Sequence, residues 1–281
     1  MPVHIVTDSA ADLSPERAAE LSVDVVPLTI RFGTEEFTDG VELTPEAFYA
    51  KMATSSGMPE TAAPSPGTFE AAIRAASTDG DPVVVITLSS ALSATMQSAE
   101  NAARAIREAG DGPEVYIVDS KSITATQGLK VVHAAKAAAE GQSADQIVAL
   151  VEDLATRSRV YGALNTLDNL KKGGRIGGAQ AMLGSVLSIK PIIDISTGSV
   201  VEAGKVRTRR KALVWLRDRV FELPQIEELA LCSGGAEDVD ELVELMSPRY
   251  SRDQLQMWTI GPVIGTHGGP GVIGFAWHDP A

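Results

Sequence analysis

Three side chains stand where this sequence could bind or transform a ligand: Thr61, Ser93 and His267. Ser93 closes the run Ser89-Ser90-Ala91-Leu92-Ser93, between the apolar stretch Val83 to Leu88 and an Ala-rich helix beginning near Ala94. At such a strand-to-helix junction free backbone N–H groups and the helix dipole both favour an anion, and Ser93 is placed as the N-cap. His267 lies in Gly-Thr-His-Gly-Gly-Pro-Gly, whose glycines let a backbone approach a ligand or turn left-handed, and imidazole titrates near neutrality. Thr61, in the Pro-rich stretch 55–64, reads on its own as a loop hydroxyl. These residue types admit anion binding, or an esterase or acyl transferase with Ser93 as nucleophile and His267 as base.

Other chemistries lack their patterns. There is no Gly-x-Ser-x-Gly elbow, and no His, Cys or carboxylate spacing suited to a metal. Gly173-Gly174-Arg175-Ile176-Gly177-Gly178 lacks the Gly-Lys-Ser/Thr end of a P-loop and the full dinucleotide fingerprint.

The elements that must position these residues read as α/β. His4 to Thr7, Val83 to Leu88 and Val115 to Val118 are short apolar strands, each followed by a polar loop and a helix, from about Pro15, Ala94 and Ser122. That repetition predicts a Rossmann-like parallel sheet with helices on both faces. Thr44-Pro45 and Ser65-Pro66 start two further helices joined by the loop 55–64, and Ser143-Ala-Asp-Gln146 is a capping box for a helix to about Thr156. Composition shifts there, which divides the chain into domains 1–156 and 157–281. The second reads as a largely antiparallel mixed sheet: strands from Val160 to Asn165, Lys190 to Ile195 and Val200 to Val206, the last two across the turn 196–199. A helix Thr208 to Phe221, a strand Glu228 to Cys232 and a helix Val239 to Met246 follow, and Ile260 to Trp277 reads as strand, turn, strand.

The chain has 281 residues and a net charge of −13, which argues against nucleic-acid binding, yet residues 157–219 hold thirteen basic against four acidic side chains. The densest part, Lys205-Val-Arg-Thr-Arg-Arg-Lys211, places cations at a helix start, against the macrodipole, and reads as a phosphate or docking patch. Ile260 to Trp277 is apolar, but its six glycines and two prolines exclude a membrane span. A single cysteine, Cys232, and an N-terminus without secretory character give a cytoplasmic reading.

Taken together these segments resemble the DegV family, fatty-acid-binding proteins that include the acyl-carrying subunits of bacterial fatty acid kinase. The likeness rests on Val6-Thr-Asp-Ser-Ala-Ala-Asp-Leu13, Thr61 with Pro64-Ser65, Ser90-x-x-Ser93-x-Thr95-x-Gln97-Ser98-Ala99, Asp119-Ser120 and Lys172-Gly-Gly-Arg-Ile176. It continues through Ile189-Lys-Pro191, Arg207-Thr-Arg209 with Lys211-Ala212, and Gly265-Thr-His267 before Gly269-Pro-Gly271. The resemblance implies a DegV/EDD-like two-domain fold with a long-chain fatty acid in a tunnel between the domains and its carboxylate bonded by Thr61 and Ser93 near His267. It implies no catalytic residue, metal or cofactor. An ATP-dependent fatty acid kinase subunit is the implied partner, with Arg175, Arg207 and Arg209 on the docking surface. Thr61-Ala-Ala-Pro-Ser65 replaces the commoner Thr-Ser-Gln-Pro-Ser, and Ala94 and Met96 stand where Gly and an aromatic are usual, positions that bear on acyl-chain preference. Burying about fourteen methylenes at roughly 0.8 kcal/mol each favours binding by about 11 kcal/mol before the costs of association.

Overall fold

A computed structural model describes residues 2–77, 79–183 and 189–280. The first half runs β1 (His4–Asp8), α1 (Pro15–Glu20), β2 (Val23–Val26), β3 (Thr29–Phe32), β4 (Glu35–Thr38), α2 (Pro45–Thr54), β5 (Glu60–Ala62), α3 (Pro66–Ala76), β6 (Val83–Thr87), α4 (Thr95–Ala109), β7 (Val115–Asp119), α5 (Thr124–Ala139) and α6 (Ala144–Arg157). Helices α1, α2 and α3 share one start signal. Ser14, Thr44 and Ser65 each accept a hydrogen bond from an amide of the first turn, and the following proline has no N–H to leave unpaired. The capping box predicted at Ser143 and Gln146 opens α6.

Strands β2-β1-β6-β7, in that order, form a wholly parallel sheet. Every residue of β6 is buried, as its unbroken apolar run requires. Val6, Val83 and Val85 pack against Phe69, Ile73 and Ile106 of α3 and α4 on one face, while Ile5, Val84 and Ile86 pack against Val131, Ile147 and Val151 of α5 and α6 on the other. This is the expected Rossmann-like layer. A separate sheet, β4-β3-β5, was not anticipated, and it corrects the reading of 55–64 as loop alone: Thr61 lies in β5, paired with Ile30 of β3.

The second half runs β8 (Ser158–Ala163), α7 (Asp168–Lys172), β9 (Lys190–Asp194), β10 (Val201–Val206), α8 (Arg209–Phe221), β11 (Glu227–Gly234), α9 (Val239–Met246), β12 (Gln256–Thr259), α10 (Pro262–Gly268) and β13 (Val272–His278). Its sheet has the order β10-β9-β8-β13-β11-β12 and is antiparallel except for the β11–β12 pair. One face carries Tyr161, Phe275 and Trp277, packed with Leu213, Leu216 and Leu242 of α8 and α9. The other carries Val160, Leu164, Ile193, Cys232 and Val272, which join Leu28, Leu88 and Ile123 of the first half in a shared core.

The stretch 260–277 corrects the expectation of strand, turn, strand, since α10 stands between β12 and β13. Its glycines serve close packing: a Cβ on Gly265 would lie 2.5 Å from the Tyr49 hydroxyl and 2.8 Å from the Phe48 ring. Pro262 occupies the first turn, where it leaves no hydrogen bond unmade. Among the described residues no helix is long and apolar enough to cross a membrane.

Candidate ligand cavity

Between the shared core and the loop after β6 lies a narrow cavity that encloses, with its open mouth, about 860 Å³ of atom-free space. Aliphatic side chains of both halves form its walls, among them Leu28, Ile123, Ile193 and Val263. Polar side chains gather at one end. Thr61, Arg175 and His267 line both this cavity and an adjoining polar recess with Glu60 and Lys172, and so mark the mouth; Ser93 also lines the cavity.

Strand β5 presents Thr61 to α10, where the Thr61 Oγ1 and His267 Nε2 share a hydrogen bond of 3.0 Å. The imidazole is largely buried, and burial, aided by the Arg175 charge, lowers its pKa from 6.5 to about 4, so the ring is neutral at physiological pH. Its Nδ1 has no hydrogen-bond partner among the described residues. The reason is local: a Cβ on Gly173 would lie 2.4 Å from that nitrogen, so the backbone of the Gly-Gly turn covers it.

The serine-rich loop is held from beneath. Asp8, at the end of β1, accepts from the Leu88 amide through Oδ2 at 2.7 Å, and through Oδ1 from the Ala10 amide at 3.0 Å and the Gln127 side chain at 3.2 Å. Burial raises its pKa to about 6 against the pull of those bonds. Asp39 is raised to about 7, by burial first and also by Asp8, and burial carries Asp12 well above the usual carboxylate range. Ser89 donates to the Gly198 carbonyl at 2.7 Å and Ser90 to Asp119 at 2.5 Å, so these hydroxyls fasten the loop. Ser93 is left facing the cavity. Its hydroxyl shares a 2.9 Å hydrogen bond with Thr95 Oγ1 and accepts from the Thr95 amide at 3.3 Å, although Ala94 occupies the N-cap position expected for Ser93.

Ser93 and His267 are not hydrogen-bonded to each other; each is engaged elsewhere, Ser93 with Thr95 and His267 with Thr61. The serine–base pair that an esterase needs is not assembled.

The arginines assigned to one docking surface have three settings. Arg175 donates from Nε to the Leu92 carbonyl at 3.0 Å and from a terminal nitrogen to the Gly173 carbonyl at 2.7 Å, which ties the Ser93 loop to the Gly-Gly turn. Arg209 is held by both oxygens of Asp238, at 2.6 and 2.9 Å, in a partly buried pair joining α8 to the residue before α9. Arg207 is exposed beyond the end of β10. Sequence reasoning gave Asp8 no role, although it stands in the run Val6-Thr-Asp-Ser, and missed Asp39 and Glu60 altogether.

Residues 2–279 match the family model described as an uncharacterised protein of the DegV family. The chain belongs to the DegV family. Among curated relatives, DegV domain-containing proteins of Deinococcus radiodurans and Halalkalibacterium halodurans are 36% and 34% identical to it, each over 98% of both chains. Among solved structures, a DegV family protein of Thermus thermophilus described for its fatty acid binding superposes with a TM-score of 0.88 at 33% identity over the whole of both chains. DegV of Bacillus subtilis, described as a fatty acid binding protein, gives 0.86 at 28% identity, also over the whole of both. A stearic-acid-binding protein of Eubacterium ventriosum gives 0.85 at 27%, covering 98% of each. The cavity of this DegV family member thus combines two hydroxyls, a neutral imidazole and a guanidinium with apolar walls, a set suited to an amphiphile with an acidic head.

Proposed function

We propose that this protein carries a long-chain fatty acid, with the tail in the apolar cavity and the carboxylate at the mouth between the hydroxyls of Thr61 and Ser93. The observation that carries this reading is the Thr61–His267 pair at the mouth of a largely apolar cavity. Relatives over the full length are described as fatty-acid-binding, which supports it. A carboxylate leaving water needs replacement donors, and hydroxyls supply them. The neutral imidazole orients the Thr61 hydroxyl and spares the site a titrating charge, while Arg175 supplies a fixed positive one. The tail provides affinity and the head provides orientation.

The carrier presents the carboxylate to a separate ATP-dependent kinase subunit that forms the acyl phosphate, and the chain itself contributes no catalytic residue. The open mouth beside Lys172 and Arg175 supports this, as does the exposed Arg207, since all three suit phosphate or an acidic partner face. A cytoplasmic setting follows from such a partner.

Native mass spectrometry of protein purified without added ligand is the direct test. A co-purified mass of fatty-acid size, or uptake of added palmitate, is the expected result. An apo mass that added fatty acid leaves unchanged overturns the reading.

A further inference from the structure

Strand β8 lies inside its sheet, between β9 and β13, yet it carries a glycine in its middle. Glycine there forgoes side-chain packing and raises the entropy lost on folding, so a central strand holds one where a bulge or a close approach requires it. Gly162 faces another glycine, Gly274 of β13, its register partner. For Gly274 the protein itself supplies the reason: a Cβ there would lie 2.0 Å from the Tyr161 carbonyl oxygen.

Among the described residues nothing comparable restrains Gly162: a Cβ there would meet only the Ile193 side chain, at 3.6 and 4.0 Å, which is ordinary van der Waals contact, and its φ is not positive. The fold would accept alanine. What adjoins Gly162 is the cavity, whose wall at this level also includes Tyr161 and Phe275. The side chains of those two residues pack on the opposite face of the sheet, so the cavity reaches down to the strand backbone here. Across the strands the glycine pair is flanked by Ile193 and Cys232, and along β8 by Val160 and Leu164. The result is a notch in an otherwise aliphatic floor. It lies away from the mouth, since Gly162 lines the apolar cavity and not the polar recess that adjoins it at Thr61, Arg175 and His267.

We infer that Gly162 is a specificity-determining residue: its missing side chain leaves the space in which the acyl tail lies against the sheet backbone, and so sets how long a chain the cavity accepts. This rests on the fatty-acid reading above. A methyl or isopropyl group at 162 takes the place of tail atoms that would lie away from the mouth, so it excludes long chains and spares short ones.

The test measures binding of laurate, palmitate and stearate to the wild type, Gly162→Ala and Gly162→Val, with thermal melting of each ligand-free protein. The ratio of stearate to laurate affinity is expected to fall about tenfold in Gly162→Val and by less in Gly162→Ala, as overpacking of a filled site predicts. Ligand-free Gly162→Ala is expected to melt at or above the wild type. If Gly162→Val does not fold, Gly162→Ala decides alone. An unchanged stearate-to-laurate ratio in the folded variants overturns the inference, and so does an equal loss of all three ligands. A wild type that binds none of them overturns the fatty-acid reading instead, so the two failures are distinct.

Discussion

The two faces of the six-stranded sheet treat burial in opposite ways. Toward α8 and α9, Tyr161 stacks on Trp277 with ring centroids 5.5 Å apart, Trp215 tilts against Tyr161 at 5.7 Å, and Phe275 is fully covered. Toward the parallel sheet the same strands offer Val160, Gly162, Gly274, Ala276 and Cys232, and beside them the cavity opens. Because side chains alternate along a strand, neighbouring residues of β8 and β13 serve different ends, one set holding the fold and the other leaving room. Stability and capacity are thus encoded in the same thirteen positions without competing for any of them.

The sharpest way to break that contrast is Trp277→Ala, on the filled face. It is expected to cost about 3–5 kcal/mol in denaturant unfolding while any folded fraction keeps the wild-type stearate-to-laurate ratio. A changed ratio would show that the two faces are not independent. On the open face, fatty acid at a hundred times its Kd is expected to raise unfolding free energy by about 2.7 kcal/mol. The Thr61→Ala, Ser93→Ala double variant, at the same concentration, is expected to lose most of that gain, and a retained gain by calorimetry would remove the two hydroxyls from the head-group site.

Acid should weaken the mouth before it touches the aromatic layer. His267 falls from 6.5 to about 4 on folding, so between those values the unfolded chain binds the proton and the folded one does not. Its contribution is therefore complete above pH 6.5 and is lost as pH falls toward 4, at up to about 1.4 kcal/mol per pH unit. Asp8 and Asp39, raised to about 6 and about 7, act with the opposite sign, because the folded state keeps protons the unfolded chain has released. The measurement is the difference in unfolding free energy between wild type and His267→Gln from pH 4 to 7. It should slope with pH, and a flat difference would refute the assignment. The smallest effect belongs to Arg207→Glu, expected to change stability and fatty-acid binding within about 0.5 kcal/mol yet to reduce acyl-phosphate formation in a reconstituted kinase assay. Equal rates would place the docking surface elsewhere.

The parallel sheet was legible because its signals are local and redundant: an unbroken apolar β6, Ser-Pro and Thr-Pro helix starts, and a capping box at Ser143. Thr61, Ser93 and His267 were legible only through their ordered neighbours, and the structure places all three on one cavity. What escaped depends on distant partners. Helix α10 was hidden because Gly265 owes its identity to Phe48 and Tyr49, far away in sequence. Strand β5 is three residues long and exists only through its pairing with β3. Arg209 looked free because Asp238 lies twenty-nine positions on. Gly162 carried no signal, since a lone glycine in an apolar stretch reads as a weak strand until the space beside it is seen.

A histidine pinned at about 4 is a spectator in ordinary buffers. A bend in an uptake curve between there and neutrality consequently belongs to the cargo's own acid proton or to Asp8 and Asp39, which change charge near 6 and 7, and not to the imidazole at the head-group end. Such a carrier would fill according to the ionisation of the acid it meets and of two carboxyls beneath its own loop.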